Sequence, residues 1–419
     1  MKKKAGNSGK QCLKIANKAK IRIFFIRAGR GFGGREKYSY FRRYMKKRFN
    51  YSLFFLVVFL VGFGFLFLAT LSAPASLKYF GNTNYYLFHQ LVYGLLPGVI
   101  LGIVAFKVPL DYLKKIAPAL LFLNLIVLLF VFTPFAGLKF WGAQRWLNIG
   151  KITFQPSEFL KITSILYLSA WIASRSPENR KKGWISMVKK SYHNLIQLFI
   201  PFVIFLGIIS AILYFQPDIS TLGIISLTLL LMYFASGTPL WHVFLIISGG
   251  IGILLFLIKT ESYRLDRWLI FLHPGTDPLG KGLQINQSLI AIGSGGFFGK
   301  GFGMSTQKFG FLPQVMSDSV FAAFAEEVGI IGCLILLSLF ILFFWFGIKI
   351  AKSSSDKFSR LTALGIVFWI TLQAFINIGS ISGIIPLSGI PLPFFSYGGS
   401  HLVAELASIG LLLNISKNG

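Results

Sequence analysis

The chain has 419 residues, of which 54% are hydrophobic and only 13% charged, with 45 phenylalanines and a mean hydropathy of +0.68. A water-soluble domain carries roughly 25% charged residues and could not cover this much apolar surface, so composition excludes a soluble globular protein and points to lipid as solvent. The net charge of +29 invites a nucleic-acid reading, but the basic residues crowd into the first 50 positions and into short gaps between apolar runs, which is the pattern of membrane topology.

Residues 1–50 hold 17 Lys or Arg against one acid, Glu36. They read as a basic cytoplasmic tail, solvated and drawn to anionic membrane lipids, with no nucleic-acid partner. The basic stretch is too long for a cleavable signal, and the first apolar run continues for a full bilayer span. From residue 51 onward, runs of about 20 apolar residues fall at 52–73, 85–106, 116–133, 155–174, 196–214, 219–237, 239–258, 320–348, 361–380 and 394–415. This predicts an all-α polytopic membrane domain over 51–419 with about ten transmembrane helices. One long outer segment, 259–319, interrupts it. Its prolines and the Gly293–Gly303 stretch predict a folded loop that lies on the surface or re-enters the membrane.

Orientation follows from the cations. With the N-terminus in the cytoplasm, 31 Lys and Arg fall on the cytoplasmic side and 10 outside, with Lys161 inside a helix. The positive-inside rule therefore puts both termini in the cytoplasm of a bacterial inner membrane. The acids run the other way: nine of 13 lie in outer loops or at helix ends. Charges in such places usually face a cavity or a partner, so the chemistry is expected on the outer face.

Several constellations there could carry it. Gln155-Pro156-Ser157-Glu158 opens the fourth run, and Gln216-Pro217-Asp218 opens the sixth. Both suit helix starts, where Pro and acids are favoured. Lys161, three residues after Glu158, lies on the same helix face and adds a polar cavity to that bland reading. Tyr263-Arg264-Leu265-Asp266-Arg267 brings two guanidinium groups together, as a pyrophosphate ligand would require, although lipid headgroups would satisfy them too. Asp318, at the end of Phe311–Ser319, could cap the eighth helix or act as a general base, two turns from Glu326. Pro391–Ser400 breaks the chain before the last helix, which is where broken helices border binding sites. The five His and the two Cys, Cys12 and Cys333, show no metal or disulfide spacing.

At these residues the sequence resembles the SEDS family of peptidoglycan glycosyltransferases, whose members include FtsW, RodA and SpoVE. The matching segments are Gly142–Leu147, Phe154–Glu158, Gln216–Asp218, Tyr263–Gly303, Gln307-Lys308, Leu312-Pro313, Asp318, Glu326-Glu327 and Pro391–Ser400. The stretches around Tyr263–Arg267 and Gln287–Gly296 are more similar to FtsW-type members, and Gly142–Leu147 to RodA. The resemblance implies polymerisation of lipid II into glycan strands outside the membrane, in division or shape maintenance, with a class B penicillin-binding protein as partner. It carries the catalytic Asp of the family's Leu-Pro-Glu-x-His-Thr-Asp-Phe pattern onto Asp318. It carries lipid II binding onto Arg145, Glu158, Lys161, Asp218, Arg264, Arg267, Gln287, Lys308, Glu326, Ser396 and Ser400. This chain departs from the pattern with Gln314 for Glu, Met316 for His, Ser317 for Thr and Ser319 for Phe. Arg264, Arg267 or Lys308 would meet the leaving pyrophosphate, a task that a divalent cation, magnesium or manganese, could share. Two rival readings belong to other classes: a lipid II flippase, and a non-catalytic division scaffold.

Overall fold

The structure, a computed structural model, describes residues 49–133, 137–140, 143–150, 152–175, 195–239, 241–242, 244–250, 252 and 262–418. The basic tail up to residue 48 lies outside the described residues, as does part of the seventh apolar run, 239–258. In lipid every backbone polar group must be satisfied within the protein, which leaves helices as the spanning elements of such a chain. They are α1 Tyr51–Phe80, α2 Tyr85–Lys107, α3 Leu110–Phe130, α4 Pro156–Ser174, α5 Ile196–Phe215 and α6 Ile219–Ala235, then, in the outer segment, α7 Ser262–Leu272 and α8 Leu283–Ser294, and finally α9 Val320–Ser353, α10 Lys357–Ile381 and α11 Gly399–Asn418.

Among the described residues, seven of these are long and apolar enough to cross a membrane: α1, α2, α3, α5, α9, α10 and α11. The sequence led to an expectation of about ten. Two of the missing three are where they were expected but fall short on length or composition. The helix α6 has only 17 residues, and α4 carries buried Ser157, Glu158, Lys161, Thr163 and Ser164 in its first half. The polar α4 is tolerable because it is an inner helix, packed on α3, α6, α10 and α11. Burial separates the inner helices from the outer ones. In α10 and α11, 67% and 78% of the most apolar window is buried, against 17% in α5; the outer helices expose their Leu, Ile and Phe, as lipid requires.

The outer side holds features that apolar runs could not reveal. Between α3 and α4 the chain forms a three-stranded antiparallel sheet, β1 Gly137–Phe140, β2 Ala143–Ile149 and β3 Ile152–Phe154, in the order β1-β2-β3. Leu147 on β2 faces both Gly137 and Phe154. The predicted folded outer loop contains α7, α8 and a short 3-10 turn, Gln307–Phe309.

The feature that most directly sets up the site is a break in α9. Gly329 has φ 68 and ψ −170, a conformation that a side chain would strain. The break leaves backbone groups on both sides without helical partners, and the Gly296–Gly301 loop takes them. The Glu326 and Glu327 carbonyls accept from the N–H groups of Lys300 (2.9 Å) and Gly301 (3.1 Å), and the Ile330 N–H donates to the Gly296 carbonyl at 2.9 Å. The short arm before the break is held from the other side by aromatic packing. Phe324 meets Phe67 at 4.7 Å between ring centroids and Phe395 edge-on at 6.0 Å, pairs worth about 0.5–1.5 kcal/mol each beyond area burial.

Candidate active site

A cavity of about 2230 Å³ opens within this bundle. Its lining includes Arg145, Glu158, Lys161, Asp218, Arg267, Asp318 and Ser400, so seven residues picked out across 255 positions of sequence share one space. Another part of the wall is lined by apolar side chains of α2, α5 and α6, such as Leu96, Ile100, Leu206 and Leu227. One chamber therefore offers both charged groups and a greasy flank.

On the cavity wall Lys161 donates to both carboxylate oxygens of Glu158 at 2.9 Å and to Gln373 Oε1 at 3.0 Å. The Trp369 ring lies 5.4 Å from the ammonium, and its indole N–H donates to the same Gln373 oxygen. This network satisfies charges that would otherwise be costly to bury. Asp218 fulfils its capping role, accepting from the Thr221 N–H at 3.4 Å. It also accepts from the Ser157 hydroxyl at 3.1 Å and faces Arg145 at 3.9 Å. Arg145, carried on β2, further donates to the carbonyls of Gln216 and Pro217. The strand thus holds a guanidinium against the start of α6. The hydroxyl of Ser400 accepts from the Gln155 N–H at 3.0 Å and ties α11 to α4.

Asp318 does not cap α9. Ser319 occupies the capping position, and no side chain bonds the helix start. The carboxylate instead lines the cavity. Burial pushes it up to about 6 from an ordinary 3.8, against the opposing pull of Arg267 and Arg145. A nearby acid is therefore not the cause, contrary to the expectation built on Glu326. Gly389, with φ +65, lies between the groups: a Cβ there would be 3.5 Å from Asp318 Oδ2 and 3.9 Å from the Arg267 guanidinium. Arg267 also donates to the Leu387 carbonyl at 2.9 Å.

A carboxylate poised near neutrality, two guanidinium groups and a chamber with an apolar flank suit transfer of a group from a lipid-linked anion. The comparisons agree with that chemistry. A family model described as a cell cycle protein, FtsW/RodA/SpoVE, matches residues 51–419. The chain belongs to the FtsW/RodA/SpoVE family. Within that family it is 34% identical to the probable peptidoglycan glycosyltransferase FtsW of Trichlorobacter lovleyi, over 88% of this chain and 93% of that one. It is 33% identical to stage V sporulation protein E of Bacillus subtilis, over 87% and 96%. Among solved structures it matches a chain from a study of polymerization and crosslinking by a peptidoglycan synthase complex, with a TM-score of 0.68 and 27% identity over 88% of this chain and 97% of that one. A mutant of the rod shape determining protein RodA of Thermus thermophilus matches with a TM-score of 0.61 and 25% identity, over 88% and 97%.

The remaining residues suggested by the FtsW/RodA/SpoVE resemblance lie elsewhere. Glu326 forms a second cluster beneath the loop: it accepts from Lys300 Nζ at 2.6 Å, the Ser305 hydroxyl at 2.5 Å and the Thr306 hydroxyl at 2.8 Å. Lys308 stands 4.0 Å from Glu327 and donates to the Gly303 carbonyl. Neither lines the cavity; they latch the loop to α9. Ser396 is buried and braces backbone, and Gln287 sits half-buried on α8. The side chain of Arg264 lies outside the described residues. Sequence reasoning passed over Gln373, Asn377 and His401, all buried on α10 and α11, because a single polar residue in an apolar run gives no sign of which way it points; Glu405, counted among the acids of outer loops or helix ends, is buried within α11.

The described residues hold no cluster of three His, Cys, Asp or Glu suited to a metal ion. Asp218 is already committed to Ser157, Arg145 and the start of α6.

Proposed function

We propose that this chain polymerises lipid II into peptidoglycan glycan strands on the outer face of the cytoplasmic membrane, with Asp318 as general base. The observation that carries the reading is the carboxylate itself: it is uncapped, lines the cavity, is raised to about 6 and sits beside Arg267 across Gly389. A base of that strength is largely ionised at neutral pH yet still able to take a proton. In the proposed step the 4-hydroxyl of an acceptor GlcNAc gives its proton to Asp318 as its oxygen bonds to the anomeric carbon of the donor MurNAc. The bond from that carbon to the pyrophosphate oxygen breaks, and undecaprenyl pyrophosphate leaves with the electron pair. Arg267 and Arg145 would stabilise the charge that develops on it. Lys308 drops out of this role because it is engaged with the loop.

The family relationship supports the reaction, and the peptidoglycan synthase complex supports a crosslinking partner of the class B penicillin-binding type. The positive-inside count supports the orientation, with both termini cytoplasmic. The buried polar cluster of Glu158 and Lys161 on the cavity wall favours one rival, a lipid II flippase that would lead a headgroup through the bundle. Purified protein given lipid II and its partner separates the readings. Asp318→Asn should lower polymer formation by roughly a hundredfold or more with lipid II binding retained. Polymerisation by this variant at near wild-type rate refutes the base assignment; no polymer from wild type favours the flippase or the scaffold.

A further inference from the structure

With no cap to hold it, the turn that carries Asp318 is held through its carbonyls. The Ser396 hydroxyl donates to the Ser317 carbonyl at 2.5 Å and accepts from the Leu392 N–H at 2.8 Å. The side-chain amide of Asn377, on α10, donates to the Asp318 carbonyl at 2.8 Å and to the Ile390 carbonyl at 2.6 Å. Both bridges run from the Asp318 turn to the segment that begins at Gly389. Asn377 is only 1% exposed, and a buried amide on an apolar helix is costly unless its bonds repay it. Its residue type is also restrictive. Two carbonyls require two hydrogens from one nitrogen, which a hydroxyl cannot supply and a carboxylate lacks altogether.

We infer that Asn377 is a positioning residue for Asp318: its amide locks the catalytic turn to Ile390 and so fixes the carboxylate at its place beside Gly389 and Arg267. The inference rests on the base assignment proposed above. Without this lock the Asp318 carbonyl loses its Asn377 partner; the flanking residues stay bonded, through the Ser317 carbonyl and through the Ser319 N–H and hydroxyl, but Asp318 itself is free to shift from the acceptor hydroxyl. Displacements of an ångström at a reacting group are enough to cost about a hundredfold in rate.

The test compares full-length wild type with Asn377→Asp, which keeps the size and loses both donors, and Asn377→Leu, which loses them without adding charge. Asn124→Leu serves as a packing control, because Asn124 is buried and bonded to Thr163 outside the cavity lining. Each is assayed for lipid II polymerisation with the penicillin-binding partner across pH, and for melting temperature in detergent. Both Asn377 variants should lose roughly ten- to a hundredfold in kcat with KM for lipid II within about twofold. The acid limb of the Asn377→Leu pH–rate profile should move below its wild-type position near pH 6, because water reaches a loosened carboxylate, whereas the carboxylate added in Asn377→Asp opposes that movement. The control should lose melting temperature alone. If the Asn377 variants keep kcat, or if Asn377→Leu loses it with the limb unmoved, the positioning role is overturned while an Asp318→Asn loss leaves the base assignment standing. If wild type makes no polymer, both fall together.

Discussion

Lys161 and Glu158, one helical turn apart on α4, form a two-oxygen ion pair in which neither residue is more than 3% exposed. Both side chains are buried on the cavity wall, so bulk solvent screens the pair little. Removing one partner strands the other. Lys161→Met should destabilise the protein by roughly 3–5 kcal/mol, whereas the double variant Glu158→Gln, Lys161→Met should recover most of that loss. Thermal unfolding of the three proteins in one detergent measures both, and equal losses for the single and double variants would refute the pairing argument.

Asp318 should confer two pH dependences of opposite sense. As a base it must be ionised, so polymerisation should fall as pH drops through about 6. In the stability of the fold the sign reverses. Its folded-state value lies above the ordinary 3.8, so the folded chain takes up the proton first and gains stability from this group as pH falls from about 6 towards 4. Asp318→Asn should therefore melt higher than wild type at pH 7.5, with the difference closing near pH 4. A variant that melts lower at neutral pH would show that the carboxylate supports the fold.

Topology can be read by labelling single cysteines with a membrane-impermeant maleimide, in a background lacking Cys12 and Cys333. Thr276, in the outer segment, and Ser355, between α9 and α10, are both exposed. Thr276→Cys should label from outside intact cells, and Ser355→Cys only after lysis. The reverse pattern would invert the proposed orientation.

The Glu326 latch makes a separate prediction. Its carboxylate gathers Lys300, Ser305 and Thr306, and hydrogen bonds to a charged group are worth about 1.5–3 kcal/mol. Glu326→Gln should raise amide exchange across residues 300–308 while leaving α10 and α11 protected. Unchanged exchange in the loop would mean that the backbone bridges at Gly329 suffice.

The expected outline of the bundle rested on apolar runs, and it located helix starts well where a chemical cue marked them, Pro156 for α4 and Asp218 for α6, while the cap expected of Asp318 on α9 did not form. It failed where no cue existed. The β1–β3 sheet is built from strands of three to seven residues, too short to show a period of two against the surrounding apolar sequence. The site divided in the same way. Charged residues betrayed themselves in a greasy chain, so Arg145, Glu158, Lys161, Asp218, Arg267 and Asp318 could be picked out one by one. Their sharing of a cavity, the diversion of Glu326 and Lys308 into a latch, and the grip of Asn377 on Asp318 depend on how distant helices pack, which no local pattern encodes.

The break at Gly329 also marks depth. An unbroken α9 of 34 residues would be about 51 Å long, far more than the hydrocarbon thickness of about 30 Å. Residues 330–353 alone reach about 36 Å, enough for the crossing. The side chains change character at the same point: Val320 to Glu327 are buried in protein, while Ile330, Ile331, Leu334 and Ile335 are open to lipid. On α9 the change from protein-buried to exposed apolar side chains thus falls at one glycine, and Asp318 lies on the buried side of it, off the stretch whose length suits the hydrocarbon.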